Sequence, residues 1–566
     1  MRNILHEKLH GLGRKGDGKG YRLGTAAAVI ATLLGLSSGA EALEIKTGNE
    51  DVQVRFDNTL RYTLGLRVAQ QNQSVMGDPA TSNTDDGDRN FAHGIVNNRI
   101  DLLSELDVSY QKRFGIRVSG AGWYDAAYEP PFDNTNPASS NHLDNGQPVA
   151  GGFNSRAKRY YLGPNGELLD ALLFGKVVVG EIPVNLKVGR HTVYWGEGLL
   201  AGGAIHGISY GQSPLDLAKA LPLPGIEAKE LFRPLNSISA QVQPTSDLTI
   251  VGQYFLEWEQ MRYPEAGTYL GFSDVMQESA ESLIAAPGVR FLRGAPSEPN
   301  PFRNWGVGVR YSPEALDGTI GVYYRKTADL QPQVAILPGA SSIPGIAGTY
   351  YLTYGTNIDI VGVSLSKQLL GVSVGAELSH RWNMPLNSNA VVVASAPTDG
   401  QTFGARGNTW HGVLNFLGLI NKTPIFDSAQ WITEFTWNHL EKVTQNRAAL
   451  KSSDVGYNAI DQVSKDFFGG ALVFIPTWFQ VVPGVDMTLP FSYGQGISGN
   501  SAVAAGGNHD SGSWSAGLGF DVFTKYKVDL KYVNFFGQIE GGVANDLGSA
   551  GLKDRDMVTL TLRTTF

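Results

Sequence analysis

The chain has 566 residues and a formal net charge of -8; 42% are hydrophobic, only 17% are charged, and there are 69 glycines and no cysteine. Without cysteine there are no disulfides, thiolate metal sites or N-terminal lipid-Cys anchors, and the acidic balance argues against nucleic-acid binding. Beyond the N-terminal region no run approaches the roughly 18 to 20 consecutive apolar residues that a membrane-crossing helix needs, which argues against a helical membrane protein.

The first 42 residues read as a secretory signal peptide. Arg14, Lys15, Lys19 and Arg22 lead into an apolar run from Leu23 to Leu36, and Ala40-Glu41-Ala42 supplies a small-x-small cleavage site. Cleavage would start the mature chain at Leu43. It would remove six Lys/Arg and three Asp/Glu, taking the formal charge from -8 to -11.

From residue 52 the hydrophobic period becomes two. Val52, Val54, Phe56, Leu60, Tyr62, Leu64 and Leu66 share one face, against Arg55, Asp57, Thr59, Arg61 and Arg67 on the other. The next segment sets Ile100, Leu102, Leu106 and Val108 against Arg99, Asp101, Glu105 and Asp107. After a turn at 111–113, Ile116 and Val118 alternate with Arg117 and Ser119. An uncharged apolar face more than ten residues long fits a tilted strand with lipid on one side and water on the other. A soluble sandwich also alternates, but its strands are usually shorter.

The same reading predicts further strands near 168–179, 184–195, 236–244, 247–258, 304–311, 318–326, 358–368, 372–382, 408–418, 427–438, 467–475, 484–493, 513–522, 526–537 and 558–566. The expected fold is an all-β transmembrane antiparallel barrel over 43–566 with about 18 strands, 16 being the alternative. Short connections alternate with long ones, as periplasmic turns and external loops do. The terminal Phe566 resembles the aromatic assembly signal of bacterial outer-membrane barrels.

The connection at 196–235 is predicted to fold into the lumen. It carries five glycines between 198 and 211, a helix start at Ser213-Pro214-Leu215-Asp216, and short helices near 215–220 and 226–232 broken by Pro222 and Pro224. Its leucines would be costly on an exposed loop; a cap over the mouth is the alternative. Arg190, Trp195 and Glu197 are expected at its beginning, Trp195 and Glu197 at a strand end as a latch, with Glu230 and Arg233 near its close. Arg55, Arg61, Arg99, Glu105 and Arg117 are placed on the lumen wall, and Arg325, Arg381, Glu377 and Glu434 also point inward. The two signs nearly balance, so each charge reads as half of a cross-strand pair rather than a selectivity ladder.

Several strings resemble a proteobacterial family known as domain of unknown function 1302: Arg55-Phe56-Asp57-Asn58-Thr59, Asp86-Gly87-Asp88-Arg89-Asn90-Phe91, Asn98-Arg99-Ile100-Asp101, Gly120-Ala121-Gly122-Trp123-Tyr124-Asp125 and Trp195-Gly196-Glu197. The resemblance implies an outer-membrane protein, often encoded near catabolic functions for hydrophobic compounds, with no established catalytic residues.

The expected function is therefore an outer-membrane channel for a hydrophobic or amphipathic small molecule, with a general diffusion porin as the alternative. Expected partners are outer-membrane lipid, the solute and a periplasmic carrier; no cofactor or metal is expected. His206 and Ser209 do not complete the triad a lipid hydrolase needs, and an adhesin would be expected to show repeats. Asp85, Asp86 and Asp88 lack the later bidentate Glu of a calcium loop and read as a solvated acidic stretch.

Overall fold

The computed structural model describes residues 43–220 and 232–566. The proposed signal peptide and Glu230 lie outside the described residues. No described helix is long and apolar enough to cross a membrane. The chain crosses with strands.

Eighteen antiparallel strands close into a barrel. In chain order they are β1 (Val52–Arg67), β2 (Gly94–Tyr110), β3 (Phe114–Asp125), β4 (Asn165–Val179), β5 (Ile182–His191), β6 (Leu235–Val242), β7 (Leu248–Phe255), β8 (Trp305–Tyr311) and β9 (Gly318–Thr327). There follow β10 (Ile358–Leu369), β11 (Val372–Pro385), β12 (Arg406–Ile420), β13 (Ser428–Gln445), β14 (Asp466–Val482), β15 (Val485–Thr488 with Phe491–Ser498), β16 (Gly512–Val522), β17 (Tyr526–Phe536) and β18 (Met557–Thr565). Each strand pairs with the next, and β1 closes the ring on β18 in a register running from Thr59 opposite Thr565 to Arg67 opposite Met557. Past the end of β18, Leu43–Ile45 takes over the same edge of β1, opposite Val54–Phe56. Closure leaves no barrel strand edge seeking a partner in lipid.

The alternation expected from sequence is the alternation observed. Leu102, Leu106, Val118, Leu186, Val188 and Val322 are exposed on the outer face, while Arg61, Asp101, Ser119 and Arg325 are buried inside. A β-hairpin with Gln111 and Lys112 at φ 50 and 55 joins β2 to β3, the left-handed pair that matches strand twist. Two strands outrun their expected ends. β13 continues to Gln445 and β14 to Val482, so the stretch 476–482 expected as a connection is strand and the turn falls at Pro483-Gly484. In β15 the ladder is interrupted at Leu489-Pro490, where proline has no N–H to give.

The wall is lowest at β5 to β8, whose strands have 10, 8, 8 and 7 residues against 18 in β13. Near the upper end of β5, Arg190 pairs with Ala171, which pairs with Val118, which pairs with Leu106, a level well inside the wall. The connection between β5 and β6 therefore leaves from partway down the barrel. At the long-loop end a small sheet of Ser282–Ala286, Val289–Arg293, Gln333–Pro338, Ile346–Thr353 and Val391–Val392 covers the mouth. Beneath it Phe91, Tyr128, Phe153, Tyr269 and Phe272 form one apolar core that also takes Ile205 and Leu215 from the β5–β6 connection.

Candidate functional site

Because β5 stops at His191, Trp195 and Glu197 lie beyond the strand, within the connection itself, and not at a strand end as the periodicity suggested. Trp195 is 2% exposed and stacks on Tyr323 of β9 at 5.8 Å between ring centroids, while its backbone N–H donates to Gln212 Oε1 at 2.9 Å. The Glu197 carboxylate accepts from Ser364 Oγ at 3.2 Å, and its carbonyl accepts from Asn415 Nδ2 at 2.6 Å.

The main grip on the connection comes from two glutamates of the wall. Glu377 on β11 accepts the N–H groups of Glu197, of Gly198 at 2.8 Å and of Ile208 at 2.6 Å. Glu434 on β13 accepts those of Leu199 at 2.7 Å, Leu200 at 3.2 Å and Gly203 at 2.7 Å. The latter groups open the helix Ala201–His206, whose N-cap Leu200 offers no side-chain acceptor, so Glu434 does the capping and meets the positive end of the helix. At the other end Arg381 of β11 donates to the carbonyls of Ile205 and Gly207, both at 2.9 Å, and lies 4.5 Å over the Tyr210 ring. Arg325 of β9 donates to the carbonyls of Ile208 at 3.0 Å and Tyr210 at 2.5 Å. The Tyr210 hydroxyl donates to Asp329, whose carboxyl burial pushes up to about 6.

These four charges are thus not halves of cross-strand pairs, as their alternation implied. They satisfy the backbone polar groups of a buried segment lying against the inward faces of β9, β11 and β13, where an unserved N–H or C=O is costly. The glycines have a matching reason. Gly196 sits at φ +94 with the Glu377 carboxylate where a side chain would begin, and a Cβ on Gly203 would meet both the Glu434 carboxylate and the Gly198 Cα at 2.7 Å. Close approach, rather than flexibility, requires them. The helix Ala201–His206 carries no strong sequence signal; the helix expected near 215–220 begins at Leu217, with Leu215 and Asp216 in isolated bridges to Phe232 and Arg262, and the one expected near 226–232 lies, but for Phe232, outside the described residues.

His206 is fully buried. Its Nε2 faces the Gly506 carbonyl at 2.8 Å and its Nδ1 faces His411 Nδ1 at 2.9 Å. Burial lowers its pKa to about 4, so it is neutral at pH 7. With Nε2 donating to the carbonyl, Nδ1 accepts from His411, and both ring nitrogens are committed without Ser209.

Arg190 and Arg233 meet through one acid. Arg190 bonds Glu257 at 2.7 Å and Glu259 at 3.2 Å, and Arg233 also pairs with Glu259, so Glu259 ties the two ends of the connection together. Arg262 adds Asp216 at 2.5 Å and Glu167 at 3.0 Å. Of the wall residues, Arg117 pairs across strands with Asp107 at 2.9 Å, whereas Arg99 with Asp101 at 2.8 Å and Arg55 with Asp57 at 2.6 Å pair two residues along their own strands rather than across them. Arg61 is buried opposite Asp101, and Glu105 is half-buried beside Ser119. On the short-turn side of the connection lies a cavity of about 320 Å³, lined by Asp107, Arg117, Asp170, Leu172, Phe174, Lys187, His191, Thr192 and Phe232.

A comparison with curated proteins gave no match. Among solved structures, OccK1 (OpdK) of Pseudomonas aeruginosa aligns over 91% of this chain and 98% of its own at 10% identity, with a TM-score of 0.39. OccAB3 of Acinetobacter baumannii aligns over 91% and 99% at 10% identity and TM-score 0.42, and a BenF-like porin of Pseudomonas fluorescens Pf-5 over 91% and 99% at 11% and 0.40. The family profile described as "Protein of unknown function (DUF1302)" matches residues 23–566, nearly the whole chain, and the protein belongs to that family.

Proposed function

We propose that this barrel is an outer-membrane channel for a hydrophobic or amphipathic small molecule, and that the connection at 196–235 limits passage. The observation that carries this reading is the cavity under the connection. Leu172, Phe174 and Phe232 give it an apolar wall, and Asp107, Arg117, Asp170 and Lys187 set charges of both signs beside it. An apolar body rests on the first group while a polar head meets the second, the usual division of labour in a small-molecule site.

In this reading the short turns face the periplasm, where a soluble carrier takes or delivers the solute, and the outer apolar band meets outer-membrane lipid. The role is passage, not catalysis. The test is growth of a deletion strain on hydrophobic and on polar carbon sources, with the intact gene restored as control. Loss of growth on the hydrophobic source alone supports the reading; equal growth on both refutes it.

A further inference from the structure

The stretch that reads as a solvated acidic loop is buried. Asp85, Asp86 and Asp88 are at most 3% exposed. Asp88 is paired with Arg67 at 2.6 Å. Asp85 and Asp86 instead meet Asp274, which arrives from the β7–β8 loop, and one carboxylate oxygen from each lies within 4.8 Å of the others.

Each carboxylate is only half served. Asp85 Oδ2 accepts from Arg89 at 2.7 Å, Asp86 Oδ2 from the Asn141 N–H at 2.8 Å, and Asp274 Oδ2 from the Asp86 N–H at 3.2 Å. The three Oδ1 atoms have no hydrogen-bond partner among the described residues. An independent observation comes from Asn141 of the β3–β4 loop, 2% exposed. Its Nδ2 donates to Asn83 Oδ1 at 2.8 Å and to the Ser282 carbonyl at 2.7 Å, which fixes the amide orientation and leaves its Oδ1 without a donor. Asn141, Asp86 and Asp274 line a cavity of about 10 Å³, close to the room one water needs.

Of the three carboxylates Arg89 serves only Asp85, at Oδ2, and the other nearby arginines are committed elsewhere. Arg290 donates to the Ser140 and Ala138 carbonyls, and Arg555 to those of Tyr269 and Gly271. Buried acceptors with no donor call for a cation or a proton. We propose that this pocket binds one calcium ion through Asp85, Asp86, Asp274 and the amide oxygen of Asn141, clamping three external loops together. All four ligands are hard oxygens, which disfavours zinc or copper. Magnesium keeps several of its waters, and the cavity has no room for them, whereas calcium accepts an irregular all-protein shell.

The experiment uses the full barrel folded in detergent, stripped of divalent ions with a chelator and titrated calorimetrically with calcium chloride at pH 7.5. One equivalent should bind, with magnesium at least tenfold weaker. Asp86→Asn and Asp274→Asn should each weaken calcium at least tenfold while the barrel still shows its heat-modifiable migration. For the unaltered protein, calcium should slow proteolysis of all three loops, 68–93, 126–164 and 256–304, relative to chelator. No calcium binding by the folded protein, equal affinity for magnesium, unchanged affinity in both variants, or loop cleavage indifferent to calcium would each overturn the assignment. None of these outcomes depends on what passes through the barrel.

Discussion

Glu434 and Gly203 specify one another: the Gly203 N–H meets Glu434 Oε1 at 2.7 Å, and a Cβ on Gly203 would stand 2.7 Å from Glu434 Oε2. Only a residue without a side chain fits beneath that carboxylate, and only an acceptor with two free oxygens serves the three N–H groups gathered there. Glu377 repeats the arrangement two strands away on the stretch 197–208.

Glu434→Gln turns one acceptor into a donor pointed at backbone N–H groups, and each buried donor left unserved costs about 1 to 3 kcal/mol. Gly203→Ala attacks the same contact by bulk. The barrel ladder depends on neither residue, so both variants should assemble with normal heat-modifiable migration while single-channel conductance in planar bilayers rises. The double variant Glu377→Gln, Glu434→Gln should raise it further. If all three assemble and conduct like the parent, the connection does not restrict the pore.

The strands were legible because their signal is local: two faces with opposite solvents force a period of two, and eighteen segments repeat it. The grip on the connection was not, because it joins residues such as Gly203 and Glu434, or Glu197 and Glu377, that lie far apart in sequence. Spacing within a strand shows that Glu434 points inward and cannot show what it meets there. The same limit hid Asp274 from Asp85 and Asp86. The glycines from Gly196 to Gly211 were visible, but their count alone does not distinguish a flexible hinge from a backbone pressed against carboxylates.

The register itself predicts chemical accessibility. Cysteines at Leu106 and Val118 should face lipid and resist hydrophilic thiol reagents in membranes, while cysteines at Glu105 and Arg117 should react. A cysteine at Arg61, inward but 3% exposed, should stay protected until the barrel is unfolded. Leu106→Lys should cost about 2 to 4 kcal/mol if it lies near mid-bilayer, and Glu105→Lys should be nearly neutral. Equal labelling at 105 and 106 would contradict the register.

His206 makes the connection sensitive to acid. Its folded pKa of about 4 lies below the ordinary 6.5, so between these values the unfolded or released segment binds more protons than the docked one. The contribution of His206 to docking is therefore fully present above about pH 6.5 and is lost as pH falls toward 4, on the order of 3 kcal/mol. Protection factors at 201–210, taken against the intrinsic exchange rate at each pH, should fall over this window, and His206→Gln should flatten the dependence. Protection factors that stay constant from pH 7 to pH 4 in the parent would show that the histidine's environment does not hold the segment.

Phe232 separates the passage of a solute from the passage of ions. Its ring packs on Tyr194 at 5.6 Å between centroids and lines the cavity beside Thr192 and His191, so it offers apolar contact exactly where the connection rejoins the wall. Phe232→Ala leaves every wall charge in place. It removes a half-buried ring whose contact with an apolar solute is worth about 1 kcal/mol, roughly a fivefold change in occupancy. Uptake of a hydrophobic substrate should fall by about that factor, whereas potassium chloride conductance should hold or rise because the constriction has only lost bulk. Lys187→Gln should do the converse: it deletes one positive charge from the same cavity, shifting the reversal potential in a salt gradient toward cation preference while leaving hydrophobic uptake nearly unchanged. If both substitutions alter ion flow and solute uptake in proportion, the cavity is a plain aqueous passage, and the apolar wall formed by Leu172, Phe174 and Phe232 has no part in selection.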